Sequence, residues 1–204
     1  NPPYNAKQEN FNDNNANRKY NSIDQRIKNS YIKEGTAQNQ IVVYDMYTRF
    51  IRWATDRLND EGIIAFISNS SFIDARAFDG LRKCLEKEFD YIYIIDLGGN
   101  VRAISGKDGI FISEKHTIFG TSAMTGIAIY FLIKDKNAIS KKLYYSHPFH
   151  IHELRENKLN YLNTNPFKDI PFELIKPDKK YNWINQTDND FDDLIPLIDK
   201  DVKG

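Results

Sequence analysis

Apolar residues fall along this chain in two rhythms. From Gln40 to Asn59, Val43, Met46, Tyr47, Phe50, Ala54 and Leu58 recur at helical spacing and predict one amphipathic helix of about five turns. Asp60-Glu61-Gly62 closes it, with Gly62 suited to the C-terminal turn. Ile63 to Ser68 is a short, wholly apolar run ending in a small polar residue, the pattern of a buried strand. Asn69-Ser70-Ser71 then leads through Phe72-Ile73-Asp74, with Asp74 as N-cap, into a second helix whose apolar face carries Phe78, Leu81, Leu85 and Phe89. Tyr91 to Leu97 reads as another buried strand, closed by Gly98-Gly99. Gly126 to Lys134 is the most hydrophobic strand of the chain. A weak strand at Leu143 to Tyr145 and a helix near Ile151 to Asn157 follow, after which Pro and Asp punctuate the chain and no element is assignable.

Helix, strand, helix, strand, strand is the second half of an open α/β sheet. Ligands of such sheets bind outside the carboxyl ends of the strands, so Asn1 to Tyr4, Ser68 to Ser71 and Gly98-Gly99 are expected to share one crevice. Residues 5 to 40 break the rhythm: they are rich in Asn, Lys and Gln, with Ile23, Ile27 and Ile32 as the aliphatic exceptions. They predict a long polar loop with a short helix around Ser22 to Lys33, and loops of that length in a compact domain are functional or disordered.

A length of 204 residues allows one domain with a sizeable core and an appended piece, and a hydrophobic content of 41% fits a folded globular protein. No run of about 18 apolar residues and no signal-peptide pattern occurs, so neither membrane insertion nor secretion is expected. Cys84, the single cysteine, cannot form an internal disulfide; it falls on the apolar side of the second helix, as a buried structural residue in a reducing cytoplasm would. Basic and acidic residues balance at 28 each, which argues against a protein that coats nucleic acid by bulk charge. Local patches persist: Arg18, Lys19, Arg26, Lys28 and Lys33 gather early, and Asp188, Asp190, Asp192 and Asp193 gather late. Both patches also read as solvated loops.

The chemistry lies at the start. Methylating an exocyclic amine is difficult because the nitrogen lone pair is delocalised into the ring. In Asn1-Pro2-Pro3-Tyr4 the side-chain oxygen of Asn1 and the backbone carbonyl of Pro2 are two acceptors for the two N–H bonds of such an amine, favouring a tetrahedral nitrogen. Pro3 stiffens the turn, since its ring fixes its own φ and restricts the residue before it. Tyr4 offers a ring face for a base, with stacking worth roughly 1–3 kcal/mol. A motif that should follow a buried strand stands at position 1, where there is no methionine, so the chain is expected to be a fragment of a longer protein.

The order of these pieces resembles the amino-methyltransferases that act on adenine N6 in DNA. In that family Asn-Pro-Pro-Tyr follows the fourth strand, a helix leads to a Gly and the fifth strand, and an aromatic-Gly segment, here Phe119-Gly120, precedes the last strand. More narrowly, Asp96-Leu97-Gly98-Gly99-Asn100-Val101-Arg102, His116-Thr117-Ile118-Phe119-Gly120, the polar loop Asn5 to Tyr20 and Ala77 to Cys84 are similar to the methyltransferase region of type ISP restriction-modification enzymes, over roughly the first 135 residues. The resemblance implies the C-terminal half of a Rossmann-like class I methyltransferase sheet, with residues 1–140 as catalytic half, 5–40 as a loop insertion and 141–204 as a loop-rich extension or link toward a target-recognition domain. It implies double-stranded DNA with a flipped adenine as partner, together with the rest of the same polypeptide, and S-adenosylmethionine as cofactor. It also implies catalytic roles for Asn1, Pro2, Tyr4 and Phe119, although Phe119 reads equally as a core residue at a strand start.

Departures from the pattern qualify this. The Gly-containing cofactor loop found upstream of Asn-Pro-Pro-Tyr in the family is absent, and no F-x-G-x-G sequence appears downstream, so Pro3 is the one cofactor-bordering candidate and the isolated chain is expected to be inactive. The sheet is also expected to begin at a strand with an open edge. Arg18, Lys19, Arg26 and Lys28 are the candidates for phosphate contact if the polar loop folds over DNA; the alternative is disorder. His147, His150 and His152 alternate, but no cysteine or acidic pair stands at a metal-ligand spacing, so a surface turn and no metal site are expected. Trp53, Asp45 and Asp56 read as packing and solvated positions of the first helix, and Tyr181-Asn182-Trp183-Ile184 as an aromatic anchor of a linker to the core. Rival readings are an amino-methyltransferase for RNA or for protein glutamine, and a non-catalytic DNA-binding module that keeps the fold.

Overall fold

The computed structural model describes residues 1–3 and 20–186. Tyr20 leads into α1 (Asn21–Ile27), which runs on into a wider π-helical turn (Lys28–Ile32). Ile27 and Tyr31, four apart and so on one face, are the residues with which this polar stretch docks on the core. The single helix expected from Gln40 to Asn59 is two pieces, a 3-10 turn (Ile41–Tyr44) and α2 (Met46–Thr55), parted at Asp45, whose backbone is extended at φ −59° and ψ 151°. The hydroxyl of Thr48 lies against the carbonyls of Val43 and Asp45, and the Asp45 carbonyl also accepts the Arg49 N–H at 3.1 Å as the first bond of α2. Asp45 is buried rather than solvated, and Asp56 is the C-cap of α2, gripped by Arg26 and Arg52. Trp53, expected to pack inside, is 47% exposed with the Arg57 guanidinium 3.9 Å over its ring.

Gly62, expected to cap that helix, is instead the first residue of β1 (Gly62–Asn69). A 3-10 turn (Arg76–Phe78) leads into α3 (Asp79–Glu88), flanked by Phe78 and not by Asp74. Asp74 sits inside the preceding turn, closed by the Ala75 N–H on the Ser71 carbonyl. The helix start takes its negative charge from Asp79, whose carboxylate also accepts the N–H and hydroxyl of Thr36 at 2.7 and 2.6 Å. Then come β2 (Tyr91–Gly98), the short α4 (Val101–Ile104), β3 (Ile127–Lys134), β4 (Lys142–Ser146), α5 (Arg155–Thr164) and β5 (Glu173–Ile175). The helix expected near Ile151 to Asn157 thus begins later, at Arg155, because Ile151 and His152 belong to a turn.

The five strands form one sheet in the order β1-β3-β2-β4-β5. β3 runs antiparallel to both β1 and β2, β2 and β4 are parallel, and β4 and β5 are antiparallel. β1, β2 and β4 therefore end on the same edge of the sheet, beside the start of β3: Asn69 and Gly98 both stand opposite Ile127. Among the described residues β1 is a border strand, along which Ile64 and Ser68 are buried whereas Ile63 is 62% exposed.

Each face of the sheet carries its own core. Helices α1 to α3 cover one face, where Ile64, Ile92, Ile94, Tyr130 and Leu132 meet Tyr47, Ile51, Phe72, Leu81 and Leu85. The other holds Ile95, Leu97, Ile127, Ile118, Phe149 and Ile170, with Tyr161 and Leu162 of α5 packed on them. The chain past Lys141 does not leave the sheet: it adds β4 and β5 and returns Trp183, 2% exposed, to the first core. The Trp183 indole N–H donates to Glu86 at 2.6 Å and its ring stands edge-on to Phe72. Buried Arg82 fastens the same segment, donating to the carbonyls of Phe72, Ala75 and Tyr181 at 3.0, 2.9 and 2.6 Å. Among the described residues no helix is long and apolar enough to cross a membrane.

Candidate active site

The strand edge that gathers Asn69, Gly98 and Ile127 is also where the chain start is held. Pro2 is buried between exposed Asn1 and Pro3, and its carbonyl accepts a hydrogen bond from the hydroxyl of Ser68 on β1 at 3.3 Å. Ser68 is fully buried. Beyond it, the Ser70 N–H donates to the Gly126 carbonyl at 2.9 Å. The Gly126 crossing is close: a Cβ there would lie 2.4 Å from the Ser70 hydroxyl, which would have to turn away, and 3.5 Å from the Asn100 Cβ.

A chain of close contacts runs from there to the aromatic candidate. Gly98 and Gly99 turn the end of β2 with φ of +62° and +82°, and a Cβ on Gly99 would meet the His116 carbonyl and Thr117 at 3.1 Å. Thr117, fully buried, bonds the Glu114 and Gly120 carbonyls at 2.9 and 2.8 Å, which folds the turn that carries Phe119. Phe119 is half-buried and packs against the second core, so its body serves as a wall whatever its exposed part touches. Residues 1–3, Ser68 to Ser71 and Gly98-Gly99 thus lie along one edge of the sheet, whereas Tyr4, the fourth residue of the first segment of the expected crevice, lies outside the described residues.

Two polar groups brace it from behind. Asp96 accepts the Gly98 N–H at 2.8 Å and the Tyr145 hydroxyl at 3.0 Å, and burial together with that carboxylate pushes the Tyr145 phenol well up. Lys158 of α5, 1% exposed, donates to the carbonyls of Leu97 and His116 at 2.7 and 2.8 Å, and burial pulls its ammonium down. Sequence reasoning missed Lys158 because it lies in a run of Asn, Lys and Glu without a legible apolar period. It also named Ser68 and Gly126 merely as the ends of strands.

The remaining candidates are distributed differently. Tyr4, Arg18 and Lys19 lie outside the described residues, as do the acidic positions Asp188 to Asp193. Arg26 is forked onto Asp56 at 3.0 and 2.7 Å, and Lys28 is exposed on the π-helical turn. His147 approaches the Asp96 carbonyl at 3.1 Å, and His116 and His152 stand edge to face with ring centres 6.3 Å apart. Among the described residues no three His, Cys, Asp or Glu side chains gather as a metal site would require.

Comparison with known proteins places this edge in a family. No curated protein matches the chain. The model of the Eco57I restriction-modification methylase family matches residues 1–102. Among solved structures the chain is 46% identical to DrdV in a DrdV–DNA complex, over 98% of this chain and 19% of that one, with a TM-score of 0.83. It is 38% identical to a nuclease-deletion mutant of the Type ISP restriction-modification enzyme LlaGI in complex with a DNA substrate mimic, over 98% and 16% of the two chains, with a TM-score of 0.86. It is 34% identical to the ATP-dependent Type ISP enzyme LlaBIII bound to DNA, over 99% and 13%, with a TM-score of 0.83. The chain spans about a fifth or less of the length of these structures, and the likeness runs past residue 140 through β4, α5 and β5. The five-stranded mixed sheet with Asn1-Pro2-Pro3 at its carboxyl edge accordingly matches the methyltransferase region of Type ISP enzymes, and the chain belongs to the Eco57I restriction-modification methylase family.

Proposed function

We propose that the protein carrying this chain is a site-specific DNA methyltransferase of a restriction-modification system, moving a methyl group from S-adenosylmethionine to N6 of adenine. The observation that carries this reading is the buried Pro2 carbonyl, held by Ser68 at the strand edge beside the exposed Asn1 amide. An adenine amine that donates one N–H to the Asn1 side-chain oxygen and the other to the Pro2 carbonyl has its lone pair drawn out of conjugation. When bound, S-adenosylmethionine supplies a methyl group on a sulfonium, an electrophile that calls for no covalent protein intermediate. The donor set fits: residues 1–3 offer neutral oxygens and proline rings without carboxylate or imidazole, so they keep the amine neutral and nucleophilic. Asn1 and Pro2 would hold the nitrogen, with its lone pair free, toward the methyl group that the cofactor would supply, and the surplus N–H proton would leave to water. Exposed Pro3 is the residue of this chain that borders the cofactor.

Adenine reaches such a site by leaving the stack, at a few kcal/mol, and is held there by Tyr4 and by Phe119. That the matched structures are described as bound to DNA or to a DNA mimic supports a DNA substrate. Arg18, Lys19, Arg26 and Lys28 meet phosphates; Lys28 is exposed, and Arg26 exchanges Asp56 for a phosphate as it does so. The rest of the same polypeptide is its working partner, in the cytoplasm where its DNA lies. The test is transfer of labelled methyl from S-adenosylmethionine to unmethylated DNA by the full-length protein beside Asn1→Ala. Transfer to adenine N6 that is lost in the variant supports the reading. A wild-type protein that binds the cofactor yet leaves DNA unlabelled overturns it in favour of RNA or protein substrates.

A further inference from the structure

The Pro2 carbonyl is an unusual group to rely on, because neither Pro2 nor Pro3 has a side-chain donor or a backbone N–H with which to hold it. The Pro2 ring fixes its own φ, and Pro3 keeps Pro2 out of the helical region, but both leave ψ of Pro2 a range within which the carbonyl swings. Ser68 narrows that freedom. Its position on β1 is set by pairing opposite Ala128 on β3, its side chain is fully buried, and its hydroxyl reaches the Pro2 oxygen at 3.3 Å. A buried hydroxyl needs an acceptor, so the bond is favoured from the serine side as well.

Resting on the methyl-transfer reading above, we propose that Ser68 is a positioning residue, whose hydroxyl occupies one lone pair of the Pro2 carbonyl and aims the other at the substrate amine. A peptide carbonyl accepts two hydrogen bonds, so the serine and the amine do not compete. The length of 3.3 Å is long for an O–H donor and leaves the carbonyl room to settle as the amine arrives. The serine touches neither substrate nor cofactor. It acts through the direction of one C=O bond, and misdirecting a group by a fraction of an ångström to an ångström slows a reaction by roughly 10- to 100-fold.

The test is single-turnover methyl transfer to unmethylated plasmid DNA by the full-length protein, with Ser68→Ala and Ser68→Thr beside wild type and Asn1→Ala. Ser68→Ala is expected to slow the transfer step by roughly 10- to 100-fold, with KM for cofactor and for DNA and the thermal midpoint close to wild type. Ser68→Thr, which keeps the hydroxyl, is expected to recover most of the rate. Ser68→Ala at wild-type rate overturns the proposal. So does a slow Ser68→Ala whose cofactor KM and thermal midpoint have also moved, since the serine is then structural. A wild-type protein that transfers nothing to DNA shows the failure of the underlying reading directly, and the proposal falls with it.

Discussion

The ammonium of Lys158 on α5 donates to the carbonyl of Leu97 at 2.7 Å, tying the late part of the chain to the end of β2. The same group holds the His116 carbonyl, so one buried cation fixes both sides of the passage from Gly98-Gly99 to Phe119. Lys158→Met keeps most of the aliphatic volume and removes both donors. Leaving the buried Leu97 carbonyl and the half-buried His116 carbonyl short of a partner is expected to cost roughly 1–3 kcal/mol, read as a fall in the urea midpoint.

Gly80 lies where α3 crosses the π-helical turn, and a Cβ there would stand 2.0 Å from the Tyr31 carbonyl oxygen and 2.4 Å from the Gly35 nitrogen. These are backbone atoms and cannot swing away as a side-chain tip would. Gly80→Ala is expected to destabilise by about 3 kcal/mol despite its gain in helix propensity, visible as a lowered thermal midpoint.

Glu86 is pushed above the usual carboxylate range by burial, a shift that its bond from Trp183 only partly offsets. The folded state therefore binds more protons than the unfolded one as pH rises past the unfolded value near 4.5, and stability falls through that window. Glu86→Gln keeps an oxygen acceptor for the Trp183 indole and removes the charge. Thermal melts from pH 4 to 8 are expected to show the variant equal to wild type at the acid end and more stable at neutral pH.

Cys84 is 5% exposed and burial pushes its thiol up to about 11. Thiolate is the reacting form, so at pH 8 a maleimide is expected to label the native protein at least about a hundredfold more slowly than the urea-unfolded chain.

The parts of this fold that sequence patterning reveals are those in which burial is written along one element. The apolar run of β3 and the Phe78-Leu81-Leu85 face of α3 are of this kind, because a central strand and a helix packed on a sheet need side chains of that period. The break at Asp45 is not, since the spacing of Val43, Met46, Tyr47 and Phe50 fits one helix as well as two pieces, and the extended backbone at Asp45 leaves no mark on it. Of α5 the pattern shows that a helix lies near Ile151 to Asn157 but neither its bounds nor its inward face, because its inward residue is a lysine satisfied by carbonyls remote in sequence. For the candidate site, Asn1 and Pro2 are named by type and order, whereas Ser68 enters only once β1 places it against the Pro2 carbonyl.

Trp183 gives the fold a practical limit. Its ring fills the core beside Phe72, a few residues beyond Ser68, and Arg82 fastens the neighbouring Tyr181 carbonyl to the same wall. Anyone dividing this polypeptide into transplantable modules would find residue 140 a tempting seam, where a strand has just ended. A graft joined there would strip two strands from the sheet and take Trp183 out of the core beside Phe72.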